Sequence, residues 1–286
     1  MAKFILSTEN NADLPHSYYP ENDIRVVDMT FSIDDVVYKN TQVEPKDFYT
    51  QIRAGKQPVT AQVSLAEWME YFEPMLAEGN DVLNICFSSG LSGTCNSAHV
   101  AARELKEKYP DRKLIIVDSL CASMGLGLLV HKASQMHKSG ASIDEVAQWL
   151  EENKLNLSHL VAVDDLMHLH RGGRLSKTSA VAGSLLGVKP IIYMNNEGKL
   201  ENIDKIRGRR QVLEKIVDMT AERVGDVEND IFMISHSDCE EDANYVADLM
   251  KKKLGIKECL INFIGPVIGS HTGIGTIALF AMAKHR

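Results

Sequence analysis

The chain repeats short apolar runs that end in polar or small residues, KFILS at 3–7, VLNICF at 82–87 and KLIIVD at 113–118, with helical periodicity between them. A strand packed between helices on both faces reads as a near-continuous apolar run, while the helices repeat every 3.6 residues. The alternation predicts parallel βαβ units and an α/β fold. Helical patterns lie at 64–78, 94–108, 121–138 and 143–153, and Ser64 with Glu67 three residues on predicts a capping box for the first. Phe31 to Lys39 (FSIDDVVYK) reads as a small β-hairpin turning at Asp34 and Asp35, a local excursion before a helix that Pro45 begins.

A new set of elements starts with the apolar run His159 to Val163. Strand-like 188–194 and 198–206 are joined through Asn195-Asn196-Glu197-Gly198 as a hairpin. Helix 209–224, strand 231–235, helix 240–253 and strand 258–264 follow, and a glycine-rich loop then runs into a final apolar helix. A boundary near residue 158 divides the 286 residues into an N-terminal α/β domain, 1–158, carrying the hairpin insertion, and a C-terminal α/β domain, 159–286. Two domains imply a cleft.

The formal charge of −8 opposes nucleic-acid binding, which needs a concentrated basic surface that releases counterions. The five cysteines are odd in number and form no CxxC pair, so neither a disulfide framework nor a zinc ribbon is expected and a reducing cytoplasm fits. The N-terminus, MAKFILS, lacks the apolar run of a signal peptide, and no segment nears the length of a membrane span, so stable membrane insertion is not expected.

Four loops could carry chemistry. Phe87 to Thr94 (FSSGLSGT) lies between a buried strand and a helix, where small residues expose N–H groups that attract an anion and hydroxyls add donors; for an average Ser/Gly loop taken alone, capping and a tight turn are the favoured explanation. Val59 to Ser64 (VTAQVS) reads as helix capping by Ser64, with Thr60 in the approach. Gly265 to Gly275 places His271 among glycines that suggest close backbone approach. Asp164 to Lys177 (DDLMHLHRGGRLSK) is the densest charge cluster. Ser176 stands where a phosphate-binding loop needs glycine, so ATP hydrolysis is unsupported, and His168 and His170 lack the spacing of a metal site. Ser92 as a nucleophile, with His271 as base and Asp164 or Asp165 as orienter, lacks the GxSxG frame, since the local sequence is GLSGT.

Taken in order, these loops resemble the DegV family, which includes the fatty-acid-binding subunits of bacterial fatty acid kinase. The resemblance spans nearly the whole chain and is carried by STENNADLP at 7–15, TAQVS at 60–64, SSGLSGTCNSA at 88–98, VDS at 117–119, DDLMHLHRGGRLS at 164–176, KP at 189–190, KIRG at 205–208 and HTGIG at 271–275. The chain departs from the family pattern at Thr8-Glu9-Asn10, where Thr-Asp-Ser is usual, and at Ala61 and Val63, where Ser and Pro are usual.

The resemblance implies a long-chain, palmitate-like fatty acid between the domains, its carboxylate held by Thr60 and Ser92, with Arg171 and His271 in the wider polar network. The tail would line up with apolar residues such as Val181, Leu185, Leu186, Ile191, Ile264, Val267 and Ile268. It also implies no catalysis by the chain itself and no other cofactor. A separate fatty acid kinase would phosphorylate the presented carboxylate, docking on the basic run Lys205 to Arg210 through Arg207 and Arg209. The competing readings are a serine hydrolase for lipids or thioesters using Ser92 and His271, and a sensor of small anions with no tail site.

Overall fold

In the computed structural model, which describes residues 4–175 and 187–286, the first half supplies β1 (Phe4–Glu9), β2 (Ile24–Val27), β3 (Thr30–Ile33), β4 (Val36–Lys39), β5 (Val59–Ala61), β6 (Asp81–Cys86) and β7 (Leu114–Asp118). Between them run helices α1 (Tyr18–Glu21), α2 (Pro45–Arg53), α3 (Leu65–Ala77) and α4 (Thr94–Lys108), and α5 (Met124–Lys138) and α6 (Ile143–Asn153) follow. The second half contains β8 (Leu157–Ala162), α7 (Met167–Arg171), β9 (Val188–Met194), β10 (Leu200–Arg207), α8 (Arg209–Val224), β11 (Ile231–His236), α9 (Glu240–Leu254), β12 (Glu258–Phe263), α10 (Pro266–Thr272) and β13 (Ile277–Met282).

The α/β class holds. Strands β2, β1, β6 and β7 form a parallel sheet in that order. The second sheet is mixed, in the order β10-β9-β8-β13-β11-β12, with only β11 and β12 parallel. The expected hairpin is present, and both Asp34 and Asp35 take left-handed backbone, φ 50° and 65°, as a two-residue hairpin turn requires. It is less local than its sequence suggests, because β5 pairs with β3 and makes a three-stranded sheet. Ser64 caps α3 in a capping box with Glu67, and Pro45 opens α2.

One reading fails. The final apolar segment is a strand, β13, and not a helix. All six of its residues are buried, and it lies between β8 and β11 in the middle of the sheet. A six-residue apolar run buried on both faces has no periodicity to betray it, and its length should have decided for a strand. The helix in this region is the seven-residue α10, inside the glycine-rich loop itself.

Side chains alternate across the second sheet. Leu160, Ala162, Ile191, Ile277 and Leu279 face α8 and α9 in one core. His159, Val161, Ile192, Ala278 and Phe280 face the opposite way, toward the first half, and leave a cavity there.

Two carboxyls near the end of β1 are buried, and one of them, Asp13, also meets the second half. Glu9, at the end of β1, accepts from the Phe87 N–H at 2.7 Å while its Oε1 has no partner, and burial pushes it up to about 7. Asp13 accepts from the Gly265 N–H at 3.0 Å and from the Ser123 hydroxyl, and burial again dominates, raising it to about 7 from an ordinary 3.8. The native chain therefore holds a proton on Asp13 that the unfolded chain releases above about pH 4. The stability this contributes is full below that pH and is lost as pH rises to about 7, a displacement of roughly three pH units and on the order of 4 kcal/mol. Asparagine tolerates the left-handed backbone at this position, φ 53°, and has no proton to lose. Melting curves of Asp13→Asn should gain on wild type steadily from pH 4 to 7.5, and a pH-independent difference contradicts the assignment.

Candidate functional site

The loop after β6 divides its serines between two tasks. Ser88 donates to the Gly198 carbonyl at 2.7 Å, tying the loop to the β9–β10 turn. Gly90 stands so close to that turn that a Cβ would lie 2.5 Å from the Gly198 oxygen, which is why a side chain is excluded there. Ser92 instead lines the cavity, and its Oγ lies 2.9 Å from Thr94 Oγ1. Thr94 in turn accepts from the Val63 N–H at 3.2 Å, and its carbonyl accepts from the buried Trp68 indole at 3.0 Å. Ser92 is thus fixed from behind at the start of α4, whose capping residue Gly93 brings no side chain of its own to the helix N–H groups.

Thr60 reaches the same cavity from β5. It pairs with Phe31 across the small sheet, and because cross-strand partners share a face, burying Phe31 turns Thr60 inward as well. Its Oγ1 lies 2.8 Å from Nε2 of His271, near the end of α10. The other ring nitrogen, Nδ1, is buried without a partner against Gly172, where a Cβ would collide with it. Burial, reinforced by the Arg174 charge, lowers His271 to about 4, so its ring is neutral near pH 7. Arg174 lines the cavity and donates to the Leu91 carbonyl at 3.1 Å and the Gly172 carbonyl at 2.5 Å. Among the described residues no carboxylate pairs with it. Thr60, His271, Arg174 and Ser92 are therefore joined through direct contacts or adjacent residues in one polar wall.

The cavity as a whole, about 290 Å³, is lined mainly by apolar residues. Ile264, Val267 and Ile268, expected from sequence, line it. Ile191 does not, because it sits on the opposite face of β9 in the α8 core, and its neighbour Ile192 lines the cavity instead. Val181, Leu185 and Leu186 lie outside the described residues. His159 also contributes to the wall; burial, with Arg286 nearby, lowers it to about 3, and its ring meets Phe280 edge-on at 4.7 Å.

Arg171 is exposed, bonds to His168 Nδ1 at 3.2 Å and is not part of the cavity wall. Three residues along, past two glycines, Arg174 takes that place. Arg207 is exposed at the end of β10. Arg209 is committed elsewhere, bonding Asp242 at 2.8 Å and Asp164 at 3.2 Å. A hydrolytic triad finds no support in this geometry. His271 Nε2 faces Thr60 and its Nδ1 faces Gly172, so neither nitrogen addresses Ser92, and Asp164 binds Lys189 and Arg209 rather than a histidine.

The DegV family model, described as "Uncharacterised protein, DegV family", matches residues 3–284. A DegV domain-containing protein of Clostridium perfringens is 44% identical over 283 residues, covering 98% of this chain and 97% of that protein. Among solved structures, a DegV family protein from Thermus thermophilus described by its fatty acid binding is 29% identical, with a TM-score of 0.88 over 98% of this chain and 99% of that one. DegV from Bacillus subtilis, described as a fatty acid binding protein, is 28% identical with a TM-score of 0.85 over 98% and 99% of the two chains. With a matching fold and a match along almost its whole length, the chain belongs to the DegV family.

Proposed function

We propose that this protein is a carrier that encloses one long-chain fatty acid, holding the carboxylate against Thr60, Ser92 and Arg174 and the tail in the apolar cavity, and presents the acid to a separate kinase for conversion to an acyl phosphate. The observation that carries the binding reading is the pairing of a mainly apolar cavity with a polar wall where, among the described residues, Thr60, Ser92, His271 and Arg174 stand together. A carboxylate meeting hydroxyl donors and a guanidinium needs no metal. Burying about fourteen methylenes at about 0.8 kcal/mol each gives roughly 11 kcal/mol gross, which favours an acyl chain over a small anion even after ordering offsets part of it. The fatty acid binding described for the Thermus thermophilus and Bacillus subtilis proteins supports the same ligand class. The kinase half of the proposal rests on the family resemblance and on the basic segment that closes β10.

Protein purified from a bacterial host should carry about one acyl chain per molecule, read by mass spectrometry of an organic extract; an extract without stoichiometric acyl chains would sink the carrier reading. On delipidated protein, Ser92→Ala and Thr60→Ala should each weaken fatty acid binding by about 1–3 kcal/mol in calorimetry without unfolding the chain. Unchanged affinity in the double variant refutes the carboxylate assignment. For docking, Arg207 is the cleaner probe, since reversing Arg209 would also break its bonds to Asp242 and Asp164. Arg207→Glu should slow acyl phosphate formation by the cognate kinase while leaving acid affinity intact, and an unaltered rate rejects that surface.

A further inference from the structure

The surroundings of His271 decide where the protons of the headgroup wall lie. If Nδ1 carried a proton, that N–H would be buried against Gly172 with no acceptor, an arrangement disfavoured relative to a bare lone pair in the same place. The remaining tautomer puts the proton on Nε2, aimed at Thr60 Oγ1 2.8 Å away. With its oxygen already accepting, the Thr60 hydroxyl is left to donate, and Thr60 lines the cavity. The opposite tautomer would turn the Thr60 proton back toward the ring and offer the ligand lone pairs only, which repel a carboxylate.

Burial and the Arg174 charge keep the ring neutral among the groups packed around α10. Helix α7 brings His168, His170 and Arg171, and α2 brings Lys46, Asp47, Tyr49 and Arg53, while β3 and β5 bring no titratable side chain. Arg174, just past α7, is the charge that acts on the ring, and it opposes protonation, as does burial.

We propose that His271 is a neutral positioning residue whose Nε2–H donates to Thr60 Oγ1 and thereby directs the Thr60 hydroxyl proton at the ligand carboxylate, while among the described residues Arg174 supplies the opposing charge. The proposal rests on the fatty-acid reading above. It separates two tasks that a charged histidine would combine, orientation and charge.

Hexadecanoic acid binding to the delipidated full chain tests it. Glutamine can place an amide N–H close to where Nε2 stands, so His271→Gln should bind within about threefold of wild type, whereas His271→Ala and Thr60→Val should each bind at least tenfold more weakly. Combining His271→Ala with Thr60→Val should add no further loss, because the histidine acts through the threonine. The ratio of wild-type to His271→Gln affinity should stay constant within twofold from pH 6 to 8.5. A tenfold fall in that ratio as pH rises, or a glutamine variant as weak as the alanine variant, overturns the proposal. Nitrogen-15 histidine spectra of loaded wild-type protein at pH 6 read the tautomer without any substitution: one protonated and one bare ring nitrogen on His271 is expected, and two protonated nitrogens overturn it. Equal affinity for 1-hexadecanol and hexadecanoic acid would instead reject the carboxylate reading itself, and the relay with it.

Discussion

Two sheets that share no strand must be held together for a cavity to exist between them, and one close contact holding them is the approach of Gly90 to the Gly198 carbonyl. Around that point, polar groups from both halves find each other. Ser88 donates to Gly198; Tyr49 donates to the Ile264 carbonyl at 2.8 Å; and Arg286, 7% exposed, donates across to the Lys154 carbonyl at 2.9 Å. A buried donor or acceptor left unpaired destabilises by about 1–3 kcal/mol. Sliding one half against the other would orphan several at once, so the seam strongly favours one register and the wall residues inherit that register.

Among the described residues the polar wall is built with little charge. The Arg174 guanidinium, half-buried, would attract a carboxylate, yet it is already bonded to two carbonyls, which temper its field. Desolvating an ion pair opposes most of its Coulombic gain. Hydroxyls held from behind by Thr94 and His271 then supply direction more than strength, a balance suited to the proposed carrier, which would release its acid as well as hold it.

Much of the scaffold was legible in the sequence because its local signals agreed with the tertiary outcome. The capping box at Ser64, the paired aspartates of the hairpin turn and the spacing of α6 all follow from short-range chemistry. What escaped depends on partners far along the chain. The small strand β5 is three residues long and has no pattern of its own; only pairing with β3 makes it a strand, and that pairing turns Thr60 inward. Ile191 and Ile192 are interchangeable in composition, and a register set by β8 decides which one meets the cavity. Arg171 and Arg174 differ only in which side of two glycines they fall. The raised carboxyl of Asp13 gave no signal at all, since its partners Asn262 and Gly265 come from the far end of the chain.

The place of β13 has a temporal meaning. The first sheet has all of its strands by residue 118, while the second brings together strands near residues 160 and 280, so its middle stays open until most of the chain has been made. Pairings so distant in sequence form slowly, after local structure has settled. During synthesis a nascent chain would therefore own a finished first layer beside an unfilled slot between β8 and β11, and the cavity, walled on one side by Ala278 and Phe280, would be the last part of the molecule to come into being.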